Sequence, residues 1–213
     1  TLEDLHPSDV ANLIENISSE TRSKLIEIEE FDIDPEIFVE INESIQAEIL
    51  QLLSSDSIAK IIKRLESDNA ISIIENLNKE KKDSVLDKLP PKDRFLLEEG
   101  LSYPEDSAAR IMQREFTAVP SDWSVGQTID YLRESKDLPE EFLEIFVVDN
   151  DFKPIGIVPS SRVLRTPREK TMKSIMREMP VLISVNMDKE EVGLAFENYN
   201  LVSAGVVNKN NKL

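Results

Sequence analysis

An apolar repeat with a period of twelve residues dominates the first hundred residues and limits the folds open to this chain. Three sets of apolar side chains recur at this spacing. They are Ile37, Ile49, Ile61, Ile73 and Val85; then Phe38, Leu50, Ile62, Ile74 and Leu86; and finally Ile41, Leu53, Leu65, Leu77 and Leu89. Within each repeat the three positions fall at i, i+1 and i+4, which is one face of a helix. The repeat therefore predicts a series of short amphipathic helices.

Polar residues and prolines separate the repeats, and they predict where the helices begin. They are Asn42, Ser54-Ser55, Ser67-Asp68, Asn78 and Pro90-Pro91. Ser, Asp and Asn side chains accept hydrogen bonds from the free N–H groups at a helix start. Twelve residues accommodate about two helical turns and a tight connection. Because helices this short are marginal in isolation, they must stack, and the sequence predicts an all-α superhelix.

After Gly100 the pattern changes to alternating strands and helices. Apolar, β-branched runs predict strands, and Ser or Asp residues ahead of apolar runs predict helices. The predicted order is strand, helix, strand, strand, helix, and it then restarts. The strands are predicted at 117–120, 145–148, 154–158, 181–185 and 203–207, and the helices follow Ser124, Ser160 and Asp188. The second copy lacks its final hairpin strand and is expected to be incomplete.

Composition excludes several classes of function. The 213 residues include no cysteine and only one histidine, His6, which excludes thiolate and multi-histidine metal sites. The net charge of -17 argues against nucleic acid as a partner, because phosphate binding requires clustered Lys and Arg. The sequence contains neither a glycine-rich phosphate loop nor a nucleophile motif. We therefore predict that the protein is not an enzyme and has no catalytic residues.

The negative charge is concentrated in the helical half. Residues 1–100 hold 24 Asp and Glu against 11 Lys and Arg. Two interpretations fit this distribution: a solvated helical surface, or a domain that responds to cations.

Three segments carry a resemblance to a known family. Tyr103–Met112, Tyr-Pro-Glu-Asp-Ser-Ala-Ala-Arg-Ile-Met, resembles the YPEDSAGGLM segment of MgtE-type magnesium transporters. Leu5–Asp9 resembles the LHPxD start of their N-terminal domain, and Tyr199-Asn200-Leu201 resembles a YDF segment in their second CBS copy. The strand and helix order of the second half resembles a tandem CBS module.

The resemblance implies an α+β chain in three parts. Residues 1–102 would form the acidic superhelix, 103–170 the first CBS copy with the joining segment, and 171–213 the truncated second copy. It also implies a magnesium-sensing region that gates a transporter channel at the cytoplasmic face of the cell membrane. The expected partners are the transmembrane domain of the full-length protein and a second copy bound through the CBS region. With no run of about 18 apolar residues, this chain is itself expected to be soluble.

The resemblance also assigns ligands. Magnesium is expected as the regulatory cofactor, with Glu36, Asp68, Asp188 and Glu190 at acidic positions of the family. Ser72 and Asn200 stand where the family has Asp, which would weaken the affinity for magnesium. The four acidic residues also have simpler roles open to them: Asp68 and Asp188 as helix caps, and Glu36 and Glu190 as favourable charges in a first helical turn.

Adenine nucleotides are common ligands of CBS modules, which hold them with Ser/Thr-x-x-Asp or Arg-Asp pairs. Residues 159–163, Pro-Ser-Ser-Arg-Val, contain no Asp, so the sequence argues against an adenine nucleotide. Arg162 and Arg165 could contact phosphate or could belong to a solvated helix face.

A second function of a different class stays open. The protein could be a soluble CBS-containing scaffold or sensor that docks a protein partner through the helical repeat. The absence of carboxylates at Ser72 and Asn200 favours this alternative, because it requires no metal.

Overall fold

The structure is a computed structural model that describes residues 5–28, 34–139 and 141–213. The chain divides into two compact units, Thr1–Ser102 and Tyr103–Leu213, each described by itself below. The division into three parts at residues 102 and 170 stays a prediction.

The first unit consists of short α-helices in its described residues. They are α1 (Pro7–Asn16), α2 (Ser19–Ile28), α3 (Pro35–Glu40), α4 (Glu43–Leu52), α5 (Ser55–Ile62), α6 (Ser67–Glu75), α7 (Lys79–Leu86) and α8 (Pro91–Ser102). α1 packs against α3, α2 against α4, α5 against α7 and α6 against α8. In these four pairs a helix packs on the helix two positions later, an arrangement that fits the predicted superhelix.

The twelve-residue repeat forms the core of this unit. All of its members are buried except Leu65, which is partly buried and packs against the same core. Phe38 and Ile74, both from the second of the three apolar sets, have no exposed surface. The period thus places one apolar face of each helix toward its neighbours, as predicted.

The predicted caps begin most of these helices. The side chains of Asn42, Ser54 and Asn78 each accept a hydrogen bond from a backbone N–H in the first turn. Asp34, which was not predicted as a cap, does the same for α3. Asp68 is not the N-cap of α6, contrary to the alternative role considered for it. α6 begins at Ser67, whose side chain is buried, so Asp68 lies inside the first turn and Glu66 occupies the cap position.

Several helices of the first unit end without glycine, and side chains from later helices satisfy their last carbonyl groups. Three side chains donate these hydrogen bonds: Arg22 of α2 to Ile14 O and Ile17 O at 3.1 Å, Gln46 of α4 to Phe38 O at 2.7 Å, and Lys81 of α7 to Leu50 O at 2.7 Å and Gln51 O at 3.0 Å. Carbonyl groups at a helix end have no intrahelical partner, so these donors stabilise the helix ends.

The second unit mixes helices and strands. Its elements are α9 (Ala108–Ile111), β1 (Ala118–Pro120), α10 (Val125–Glu134), β2 (Glu144–Val148), β3 (Pro154–Pro159), α11 (Ser160–Arg165), α12 (Met172–Ile175), β4 (Ile183–Ser184), α13 (Lys189–Tyr199) and β5 (Val206–Val207). The predicted order of elements is therefore observed, with β4 and β5 shorter than the apolar runs that predicted them.

Two sheets organise this unit. β1 pairs in parallel with β2, and β2 pairs antiparallel with β3, whereas β4 pairs in parallel with β5. The core of the first copy contains Val119, Ile145, Val147 and Val158 from its strands, together with residues of the surrounding helices. The second copy is thinner: α13 has no buried residue, and its Leu194 is 56% exposed.

Candidate functional site

An acidic depression lies at the start of α13 in the second unit. Its volume is about 550 Å³, and it is lined by Asp106, Asp188, Lys189, Glu190, Glu191 and Leu194. Four of these six residues are acidic, so the depression is a surface at which cations would accumulate.

The joining segment 103–112 positions this depression. Lys189 N donates to Asp106 O at 2.8 Å, and Ala108 N donates to Met187 O at 2.7 Å. These bonds hold the segment against the residues that begin α13. Asp188 caps the helix, because its Oδ1 accepts from Glu190 N at 2.8 Å. The joining segment, which carried the family resemblance, therefore also shapes the candidate site.

One cation already lies in the depression. Lys189 Nζ is 2.5 Å from Asp106 Oδ1. The hydrogen bond to Asp106, reinforced by the charges of Asp106, Asp188 and Glu190, raises the pKa of Lys189. Lys189 stays protonated at neutral pH, so it offsets part of the acidic charge and occupies one carboxylate.

The structure brings together two of the four predicted magnesium ligands. Asp188 and Glu190 line the depression, whereas Glu36 and Asp68 lie in the first turns of α3 and α6 in the other unit. Among the described residues, no group of three or more His, Cys, Asp or Glu side chains is arranged to hold a metal ion. The four ligand assignments stay predictions.

Asp106 and Glu191 were missed as members of this site. Glu191 could have been predicted from its position directly after Glu190. Asp106 lies 82 residues before Asp188 in the sequence, and local periodicity carries no information about such a pairing. Its only signal was its place in the joining segment.

A second candidate region is an aromatic cluster beside β1. The rings of Phe116 and Phe146 meet edge to face with centroids 6.2 Å apart, and Phe116 and Phe152 lie 6.4 Å apart. Thr117 follows Phe116, and its carbonyl accepts from Phe146 N at 2.9 Å. The Thr117 hydroxyl is buried and has no hydrogen-bond partner among the described residues.

This cluster has the chemistry of a site for a planar aromatic ligand. Aromatic rings bind such ligands by stacking or edge-to-face contact. A buried hydroxyl without a partner costs free energy, and a ligand that supplied a donor or acceptor would recover it. The rings and the unpartnered hydroxyl are therefore candidate contacts for a planar ligand such as an adenine base.

Two family models match consecutive parts of the chain. The model of the MgtE intracellular N domain matches residues 5–106, and the model of the CBS domain matches residues 108–169. The chain carries an MgtE N domain followed by a CBS domain. The resemblance to MgtE transporters drawn from the joining segment is thereby confirmed.

Curated relatives of the MgtE N domain and CBS region are magnesium transporters. The chain is similar to magnesium transporter MgtE of Bacillus subtilis, with 23% identity over 113 residues, which are 53% of this chain and 25% of that protein. It is also similar to MgtE of Thermus thermophilus, with 26% identity over 125 residues, 59% of this chain and 28% of that protein. The chain matches about a quarter of the length of these relatives.

Solved structures of the MgtE cytosolic region share the fold. The cytosolic domain of the Mg2+ channel MgtE in complex with ATP matches with a TM-score of 0.87 at 24% identity, over 100% of this chain and 87% of that one. The soluble part of a magnesium transporter matches with a TM-score of 0.83 at 20% identity, over 98% of this chain and 82% of that one. The predicted α+β fold is confirmed.

The cofactor prediction is contradicted. It named magnesium and argued against an adenine nucleotide, yet an MgtE cytosolic domain of this fold was solved with ATP, and magnesium binding is not shown here. The error came from equating one absent Asp in residues 159–163 with an absent nucleotide site. Rings and a buried hydroxyl elsewhere in the CBS region offer different contacts.

None of the helices in the described residues has the length and apolarity needed to span a bilayer.

Proposed function

We propose that this chain is the ligand-sensing regulatory region of a magnesium transporter and controls a membrane domain of the same protein. The observation that carries the proposal is the match in fold to an MgtE cytosolic domain over the whole chain, with an MgtE N domain and a CBS domain in that order. A second copy bound through the CBS region completes the proposed assembly, since closed two-fold pairs are the commonest oligomers.

Magnesium is the ion that this region is proposed to sense. Mg²⁺ prefers oxygen ligands, and it is often held by one or two carboxylates with water in the remaining positions. Asp188 and Glu190 in the depression, and Glu36 and Asp68 on α3 and α6, are the proposed carboxylates. Sites this open bind weakly, which suits a sensor of an abundant ion.

Thermal unfolding of the chain tests magnesium sensing. Millimolar MgCl₂ should raise Tm above the value in NaCl of equal ionic strength, because a ligand of the folded state stabilises it. Asp188→Asn with Glu190→Gln should remove part of this increment, and adding Glu36→Gln with Asp68→Asn should remove the rest. Asn still caps a helix, so the variant at position 188 keeps its fold.

Charge-matched variants on other helix starts provide the control. Glu43 and Glu80 are exposed acidic residues in the first turns of α4 and α7. Glu43→Gln with Glu80→Gln should leave the magnesium increment unchanged. If both sets of variants reduce the increment equally, magnesium acts only as a diffuse counterion, and the site proposal fails.

An adenine nucleotide is the second proposed ligand, held at Phe116, Thr117 and Phe146. The support is the unpartnered hydroxyl of Thr117, the residue after Phe116 whose backbone bonds Phe146, and the ATP present in the similar MgtE structure. Thr117→Val keeps the shape and removes the hydroxyl. It should weaken ATP binding about fivefold or more in calorimetry, while the stability of the free protein is unchanged or raised.

A second buried threonine provides the comparison. The Thr128 hydroxyl donates to Ser124 O at 3.1 Å. Thr128→Val should therefore lower stability without weakening ATP binding in the folded protein. Undiminished ATP affinity in Thr117→Val would remove this residue from the nucleotide site.

A further inference from the structure

Glu144, at the start of β2, is the one buried carboxylate among the residues that the structure describes. Only 4% of its side chain is exposed. A carboxylate withdrawn from water costs free energy unless other groups pair with it and donate hydrogen bonds to it. The groups that surround Glu144 therefore indicate what its burial achieves.

Two side chains meet at this carboxylate. The guanidinium group of Arg177 pairs with it and neutralises its charge, and Ser203 Oγ donates a hydrogen bond to its Oε2 at 2.5 Å. The backbone of Arg177 is bonded to β3, because Arg177 N donates to Ile157 O at 2.9 Å and Ile157 N donates to Arg177 O at 3.0 Å. Ser203 instead lies just before β5, in the other sheet. Of the two partners, the serine is therefore the one that links the sheet of β1–β3 to the sheet of β4 and β5.

This link continues two residues further along both segments. Successive side chains of a strand point to opposite faces, so Glu144 and Phe146 lie on the same face of β2. Gly205 follows Ser203 by two residues, and a Cβ added to it would lie 3.5 Å from Phe146 Cε1. Ile183 N donates to Gly205 O at 3.0 Å, which ties this glycine to β4. The segment before β5 thus runs along the face of β2 that carries the buried carboxylate.

Phe146 is also a ring of the candidate adenine site, and its surroundings set its orientation. The ring meets Phe116 edge to face and has the backbone of Gly205 beside it. We propose that Glu144 is a positioning residue of the adenine site, an inference that rests on the nucleotide binding proposed above. Its bond to Ser203 fixes the second sheet against Phe146, and the ring is thereby held in the orientation in which it contacts a base. Glu144 itself does not touch the base.

Loss of this bond should weaken the binding of the base. A ring that is already held loses less conformational freedom when a ligand binds, and the affinity is higher for that reason. Ser203→Ala removes only the hydroxyl and leaves Glu144 paired with Arg177. It should weaken adenosine and ATP by the same factor, about two- to tenfold, in calorimetry on the full chain at a temperature well below Tm.

Two further substitutions make the test specific to the bond. Threonine keeps the hydroxyl, so Ser203→Thr should stay within about twofold of the wild-type affinity, and a loss equal to that of Ser203→Ala overturns the proposal. Glu144→Leu removes the acceptor, so adding Ser203→Ala to it should weaken adenosine no further, because the two residues act as one pair. A further loss in the double variant shows that the serine acts without Glu144. If Glu144→Leu does not fold, the two serine variants decide alone.

Ser107→Ala is the matched control. Ser107 is buried, and its Oγ donates to Pro104 O at 2.7 Å, so this variant also loses one serine hydrogen bond within the second unit. It should lower Tm without weakening adenosine. A weakening equal to that of Ser203→Ala would mean that any lost hydrogen bond loosens the site, and the positioning role would fail.

Thr117→Val separates this inference from the adenine site itself. If the wild type binds neither adenosine nor ATP, the site fails and the role of Glu144 fails with it. If Thr117→Val weakens binding and Ser203→Ala does not, the site stands and only the positioning role is overturned. Loss in both variants, with Ser203→Thr and Ser107→Ala like the wild type, supports the proposal.

Discussion

At the scale of the residue, Lys81 shows how one side chain stabilises a helix to which it does not belong. Its ammonium group donates to the last carbonyl groups of α4, and burial lowers the pKa of this lysine. The stem of Lys81 is partly buried, so the charge is brought to the helix end at a cost in desolvation. Positive charge near a helix C-terminus is also favourable toward the helix dipole.

Removal of this charge should destabilise the first unit. Lys81→Met keeps the stem and removes the donor, which should lower the free energy of unfolding by about 1 to 2 kcal/mol. Lys79→Met, at an exposed position of the same helix, should change it little. Urea denaturation measures both, and equal effects would show that the contact to α4 contributes nothing particular.

Asp149 gives a prediction of pH dependence. Its carboxylate accepts from Lys153 N and Asp151 N, both at 2.9 Å, and these bonds lower its pKa from 3.8. A lowered pKa in the folded state means that the carboxylate stabilises the fold above pH 3.8, and that this contribution is lost as pH falls through the folded value.

Asp149→Ala should therefore have a lower Tm than the wild type at neutral pH. The difference should persist down to about pH 4 and close below it, because the wild type then loses the same contribution. Asp151→Ala, which removes a more exposed neighbour, should show a smaller difference at every pH. A gap between wild type and Asp149→Ala that stays constant to pH 2 would contradict this account.

At the scale of the element, the equivalent positions of the twelve-residue repeat should respond alike to truncation. Leu50→Ala, Ile62→Ala and Ile74→Ala each truncate a buried side chain in a different helix. Each should lower the free energy of unfolding by about 2 to 5 kcal/mol. Leu52→Ala, at a 44% exposed position of α4, is the control. Chemical denaturation measures the loss in free energy of unfolding for each variant. Losses that differ strongly between the repeats would mean that the repeats pack independently.

The helices were predictable from sequence because each repeat carries its own apolar face and its own cap. The start of α6 was less predictable: Ser67 and Asp68 are both residue types that can cap, yet the helix begins at Ser67 and Glu66 occupies the cap position without a side-chain hydrogen bond. The contacts of the joining segment with α13 depend on tertiary structure. The Thr117 hydroxyl could not have been singled out, because its missing partner is a property of its buried surroundings.

At the scale of the whole molecule, the charge of -17 should make stability depend on ionic strength. Like charges repel in the compact state, and salt screens them. Raising NaCl from about 10 to about 100 mM shortens the screening length from about 30 to about 10 Å, so Tm should rise. KCl should give the same rise, and a Tm that falls or stays constant would show that ion pairs balance the repulsion.

The helix ends of the first unit limit how this superhelix could have grown. Arg22, Gln46 and Lys81 each serve a helix earlier in the chain, so a twelve-residue segment is not a self-sufficient module. Duplication of the repeat that contains α4 would create a second α4 end, whose donor has to come from a different segment, as Lys81 does now. Lengthening the superhelix at such a position would therefore require a matching donor downstream together with the added helix.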